Sequence, residues 1–227
     1  MRLQRVPLLA SVVVLLAAAC STTDHDGAAP PTSTAPAPSA TAVTTPATTA
    51  SATAAPSAAG GWRVTYGWAV PSAPARVAHT VKVPVNPAPG EPLPVLVQIQ
   101  VGDHPAEGFS RISFAFRGPT PSYQVGYVAQ VESDGTGTPV SLPGDAFLSV
   151  RFDPAQAHDR SGRSTVHAPP PAIGYPTLRG WAVAGDFEGH LSFGLGVRTS
   201  GEPLPVRLGE STRPDGTHVV SLDVRRG

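Results

Sequence analysis

Arg111-Ile112-Ser113-Phe114-Ala115-Phe116-Arg117 decides the fold class. Large apolar side chains at 112, 114 and 116 alternate with residues that tolerate water. A period of two means one face buried and one open, which describes a strand and not a helix. The same period recurs on both sides of this stretch. Val81, Val83 and Val85 alternate with Thr80, Lys82 and Pro84, and Val95, Val97, Ile99 and Val101 with Leu96, Gln98 and Gln100. Leu191, Phe193, Leu195 and Val197 alternate with Ser192, Gly194 and Gly196, and Val220, Leu222 and Val224 with Ser221, Asp223 and Arg225. Apolar runs at Tyr123–Val131 and Ala146–Phe152 add two more expected strands.

Turn-forming residues punctuate these runs: Gly102-Asp103-His104-Pro105, Gly118-Pro119, Asp134-Gly135, Pro143-Gly144-Asp145 and Pro214-Asp215-Gly216. Short strands separated by turns predict an all-β domain, an antiparallel β-sandwich, over residues 61–227. The best helix candidate is Pro154–His158, which is short enough to be a turn. Two proline-rich loops are expected, Pro84–Pro94 and about Ala155–Pro176, and the second, holding His167 and Tyr175, is the better binding candidate.

The first 60 residues are a different kind of polymer. Arg2 and Arg5 precede an apolar run of 12 residues, Leu8–Ala19, broken only by Ser11. A bilayer span needs about 20 apolar residues, so residues 1–19 read as a signal peptide. Residues 21–60 contain 13 Ala, 10 Thr, 6 Pro and 5 Ser, with no charge after Asp26 and no aromatic. Such a chain cannot bury enough apolar surface to offset the entropy of ordering, and it reads as a disordered tether. The boundary falls at Gly60-Gly61-Trp62.

Charge and cysteine content narrow the function. Lys and Arg total 16, Asp and Glu 16; without Arg2 and Arg5 the remainder has 14 basic against 16 acidic groups. No basic stripe is present, so nucleic acid is not an expected partner. The one cysteine is Cys20, so no intrachain disulfide is possible and the exported domain must rest on its core. Oligomeric state is not readable.

Ala17-Ala18-Ala19-Cys20 resembles the lipobox of bacterial lipoproteins, with Ala17 where that family favours leucine. The resemblance implies cleavage before Cys20, acylation of its thiol, and anchoring at the outer face of the cytoplasmic membrane. Two acyl chains on one residue suffice for stable anchoring. The competing reading is ordinary cleavage after Ala19, which releases a soluble protein.

Catalytic signatures are missing from the sequence. There is no G-x-S-x-G elbow, no phosphate loop and no dinucleotide fingerprint. The seven histidines form no H-x-x-x-H pair, so no metal site and no cofactor is expected. Ser110, His104 and Asp103 can be drawn as a triad, but such combinations arise readily by chance. Asp186 and Glu188 flank Phe187; in an extended segment both would point to one side, as an acid–base pair or a cation site. A hairpin turn with Phe187 entering the core accounts for them better. Arg111, opposite Ile112 and Phe114, is a candidate polar contact, although a plainly solvated arginine is the simpler reading. With Tyr175, Asp186 and Glu188 it completes the candidate ligand-binding residues.

The segment Val101–Phe116, with Gly102-Asp103-His104-Pro105, Gly108-Phe109 and a strand ending Phe114-Ala115-Phe116, resembles the opening of the AMIN-like domain of actinobacterial lipoproteins. Ser110 stands where that family has Asp, and Ala106-Glu107 lengthens the turn. Tyr123–Val128, Gly185–Gly189 with Ser192–Gly196, and Val219–Val224 resemble later blocks. The resemblance covers roughly residues 95–225. It implies a β-sandwich and a non-enzymatic domain that binds a cell-wall component, peptidoglycan or an associated polymer, and it carries over no catalytic residue. A scaffold recruiting an envelope enzyme, and a wall hydrolase, remain as alternatives.

Overall fold

The structure is a computed structural model, and it describes residues 61–81 and 93–227. The signal segment, Cys20, the tether, the Lys82–Val85 part of the first alternation and the loop from Pro84 to Pro92 lie outside the described residues.

Among the described residues ten strands form: β1 Arg63–Ala69, β2 Ala75–Val77, β3 Val95–His104, β4 Phe109–Arg117, β5 Ser122–Val128, β6 Ala146–Asp153, β7 Leu178–Phe187, β8 His190–Val197, β9 Val206–Thr212 and β10 His218–Arg225. They build two five-stranded antiparallel sheets. Sheet A has the order β1-β9-β10-β4-β3 and sheet B the order β2-β5-β6-β8-β7. The expected all-β sandwich is the observed fold.

The alternating rows meet between the sheets. Ile112, Phe114 and Phe116 of β4 and Val220, Leu222 and Val224 of β10 face Leu148, Val150 and Phe152 of β6 and Leu191, Phe193 and Leu195 of β8. Phe152 is the hub, its ring centroid 5.0 Å from Phe114 and 4.9 Å from Phe116. Aromatic pairs at this spacing add to the free energy of burial.

β3 departs from the expected alternation. A register shift between Leu96 and Gln98 places Leu96 opposite Phe116 and Ile99 opposite Phe114. Leu96 is therefore fully buried, while Val97 is only half-buried. A bulge inserts one residue and reverses which parity faces the core. Pro154–His158 is not helical: Gln156 forms a parallel bridge to Val95, its N–H donating to the Pro94 carbonyl and its carbonyl accepting from Leu96. Residues 154–173 form a strap along the β3 edge. His167 also joins β3 through its backbone, its N–H donating to the Val97 carbonyl and its carbonyl accepting from the Ile99 N–H.

The outer side of β8 is covered as well. Gly194 and Gly196 lie under Val131, Leu142 and Pro143, and a Cβ at Gly196 would overlap the Pro143 carbonyl oxygen. The glycines in Ser192–Val197 thus admit a loop onto the sheet.

At the opposite edge a polar node joins the sheets. Glu210 of β9 is buried on the inward side. It accepts from Arg63 Nη2 at 2.5 Å, His79 Nε2 at 2.8 Å and the Tyr123 hydroxyl at 2.7 Å, and Tyr123 shares a further bond with Thr65. Burial by itself would raise the Glu210 pKa, but bonds from His79, Tyr123 and Arg63 outweigh it and hold the carboxyl at about 2, against an ordinary 4.5. Burial and the Glu210 charge push the Tyr123 hydroxyl far up. Since the folded Glu210 pKa is depressed, its stabilisation is complete above about pH 4.5. It fades as pH falls towards 2. The expected loss across that window is of order 3 kcal/mol. Glu210→Gln should flatten the stability profile between these pH values in chemical-denaturation titrations; an unchanged acid slope would show that other carboxylates set it.

Candidate binding face

The outer face of sheet A is not a plain solvated surface. In β-sheet register, Arg207 of β9, Asp223 of β10 and Arg111 of β4 stand side by side. Asp223 sits between the two cations and is fully buried. Arg111 donates to it through Nε at 2.5 Å and Nη2 at 2.9 Å, and Arg207 through Nε at 2.9 Å and Nη2 at 2.7 Å. Charge-assisted paired bonds of this kind fix both guanidinium planes. The solvated reading of Arg111 is therefore corrected: its head group is held by a buried carboxylate that came from 112 residues away in sequence.

Aromatic rings complete the face. Trp62 lies on Gly209, where a Cβ would overlap its ring. The Arg111 and Arg207 guanidiniums lie 5.1 and 4.6 Å from its centroid. Trp68 lies 4.5 Å from Arg207 and 5.2 Å from Arg225. Phe109, buried beneath, stacks on His104 at 4.6 Å and is tilted against Trp68 at 6.0 Å. Cations over indole faces are attracted by the ring quadrupole. Trp62 keeps 37% of its surface exposed. The neighbouring row is small and polar: Gly209, Ser221, Ser113 and Gln100 lie across four strands, with Ser221 and Ser113 sharing a hydroxyl bond. Arg213 reaches over to Gln98 and Gln100.

The other sequence candidates lie elsewhere. Tyr175 is half-buried in the segment leading into β7, where its carbonyl accepts from Arg179. Asp186 is on the inward side of β7 opposite Leu191. It binds the Ala157 N–H and, at 2.8 Å, His158 Nδ1. Glu188 is exposed in the β7–β8 turn with φ of 53°. The segment is not extended there, so Asp186 and Glu188 are not a same-side pair. Phe187 does not enter the core either; it is 42% exposed. The turn itself is as expected.

Ser110, His104 and Asp103 do not assemble into a triad. The Ser110 hydroxyl donates to Asp103, which also pairs with Arg226, while the His104 ring stacks on Phe109. A cleft of about 320 Å³ between β7 and the strap holds His158 and Asp186 above Ile99, Trp181 and Phe193. Ser164 lines it, with its hydroxyl accepting from the Val166 N–H. A second cleft of about 370 Å³ on sheet B is lined by Arg76, Gln124, Arg151, Asp153 and His190. Among the described residues, no three His, Cys, Asp or Glu side chains converge as metal ligands.

Sequence reasoning missed Trp62 and Asp223 as partners of Arg111, and Arg207 and Trp68 as further members of its cluster. A period-two reading places 111 and 223 on outward positions but does not say that β4 and β10 are neighbours. No curated protein and no solved structure matches the chain. The model of the AMIN-like domain family matches residues 94–226, the span from the lead-in to β3 through the end of β10. That is more than half of the 227 residues, and the chain belongs to the AMIN-like family.

Proposed function

We propose that this protein is a non-enzymatic envelope lipoprotein, anchored through Cys20 at the outer face of the cytoplasmic membrane. Its sandwich binds a cell-wall component, peptidoglycan or a polymer attached to it. Membership of the AMIN-like family supports a peptidoglycan-related binding role. The observation that carries the reading is the face of sheet A, where Trp62 and Trp68 flank guanidiniums locked on Asp223. Flat aromatic surface beside fixed hydrogen-bond donors suits a saccharide, whose rings carry both apolar faces and hydroxyl edges. An exposed tryptophan backed by arginine is also the kind of residue that dominates interface energetics.

Sedimentation of the purified chain with insoluble wall polymer tests this. Trp62→Ala should weaken retention roughly tenfold, the effect of losing about 1.4 kcal/mol of contact. Release of soluble fragments during the same incubation would point to a hydrolase instead. Retention that ignores Trp62 would move the binding surface off this face.

Anchoring has its own test. Cys20→Ser should remove mature-length protein from the membrane fraction. Mature-length variant that still fractionates with membranes would rule the lipid anchor out.

A further inference from the structure

We infer that the sheet A face is built for an anionic saccharide, specifically a phosphodiester carried by a wall polymer. This deepens the wall-binding reading and rests on it. Arg111, Arg207 and Arg225 converge on the same aromatic cluster, while Asp223 is the only carboxylate paired within it among the described residues. The ion pair of Asp103 with Arg226, the residue after Arg225, is internally neutral. The patch is thus left with two positive charges in excess, in a chain whose formal charge is zero. No carboxylate among the described residues lies within ion-pair reach of Arg225, which is exposed at the end of β10.

The geometry selects among anions. Arg111 and Arg207 already spend Nε and Nη2 on Asp223, leaving Nη1 of each without a partner among the described hydrogen bonds. Arg225 and Arg207 approach Trp68 at 5.2 and 4.5 Å. The free donors therefore come from separate guanidiniums. A carboxylate, being planar, is matched by a single guanidinium fork, as Arg111 matches Asp223 with Nε on Oδ1 and Nη2 on Oδ2. A tetrahedral phosphate can accept from several directions at once. The tryptophans then supply stacking area for the sugars on either side of it. Neutral glycan alone would leave the excess charge without use, and a flat lipid surface would engage Trp62 and Trp68 without needing guanidinium donors fixed on a buried carboxylate.

The test uses the full purified chain and three probes: native wall polymer, the same polymer stripped of phosphate by hydrolysis, and vesicles of anionic phospholipid. Retention on native wall should exceed that on stripped wall by about tenfold. It should fall steeply as salt is raised from 50 to 500 mM, since exposed charge interactions are screened over that range. Arg225→Gln, which breaks no ion pair among the described residues, should weaken retention on native wall severalfold and leave stripped wall unaffected. Equal retention on native and stripped wall would overturn the phosphate inference while leaving wall binding intact. Failure to bind either wall would defeat the wall-binding reading itself. Vesicle binding as strong as wall binding, equally sensitive to Arg225→Gln, would overturn the assignment to a wall polymer.

Discussion

Asp223→Ala is expected to destabilise the domain by about 3 kcal/mol, within the range for breaking a buried ion pair. The side chain is fully buried, and it is the only acceptor among the described residues that receives Nε and Nη2 of both Arg111 and Arg207. Its loss leaves two neighbouring guanidiniums without a counter-charge, each three-quarters shielded from water. For a domain of this size the fall in Tm should be roughly 6–12 °C by calorimetry. A melting point within a degree or two of the parent would mean that the cluster contributes nothing to folding. A companion variant separates stability from binding. Replacing all three together, Arg111→Met, Asp223→Leu and Arg207→Met, removes the charges and their desolvation cost at once, and such exchanges are often neutral. That variant should recover most of the lost stability and still fail to be retained by wall polymer. Recovery of both would place binding elsewhere; recovery of neither would leave the two roles inseparable.

The pattern of what was legible follows the physics of each strand. β4, β6, β8 and β10 are central strands with one row of large apolar side chains facing the core, and period two exposes them directly. β9 escaped notice although it too is central. In Val206-Arg207-Leu208-Gly209-Glu210, the inward position 210 holds a carboxylate, and outward position 209 is a glycine because Trp62 lies on it. Both exceptions are tertiary: the carboxylate is satisfied by β5 and by residues before β3, and the glycine by the approach to β1. β7 carries two register shifts, and its inward-facing Val183 is more than half exposed at the open edge, so no clean row exists to be read. β1 is an irregular edge strand lying before the matched family span; it carries Trp68, and Trp62 is the residue just before it. The cluster around Arg111 was therefore invisible for one reason. Its members are spread from residue 62 to residue 225, and only the strand order β1-β9-β10-β4 makes them neighbours.

β10 offers the sharpest check of this two-sided arrangement, because adjacent residues on it face different environments. Leu222→Ala should cost about 3–5 kcal/mol, the upper part of the range for buried leucines. Leu222 is 1% exposed and pairs across the sheet with Ile112 on one side and Leu208 on the other, both fully buried. The walls of the resulting cavity are strands fixed by ladders on both sides, so little collapse is available to offset it. Ser221, one residue earlier, points to the opposite face and exchanges a 2.9 Å hydroxyl bond with Ser113. Ser221→Ala removes that bond and leaves Ser113 with access to water, so the cost should be about 1 kcal/mol or less. Asp223, one residue later, faces the same side as Ser221 yet matters for charge. Chemical denaturation of these two alanine variants beside Asp223→Ala should thus give a large, small, large sequence in the order 222, 221, 223. A large effect at 221 equal to that at 222 would contradict the assignment of the two faces. A small effect at 222 would mean that the core between the sheets tolerates a void at its centre, which the ring contacts of Phe152 with Phe114 and Phe116 argue against.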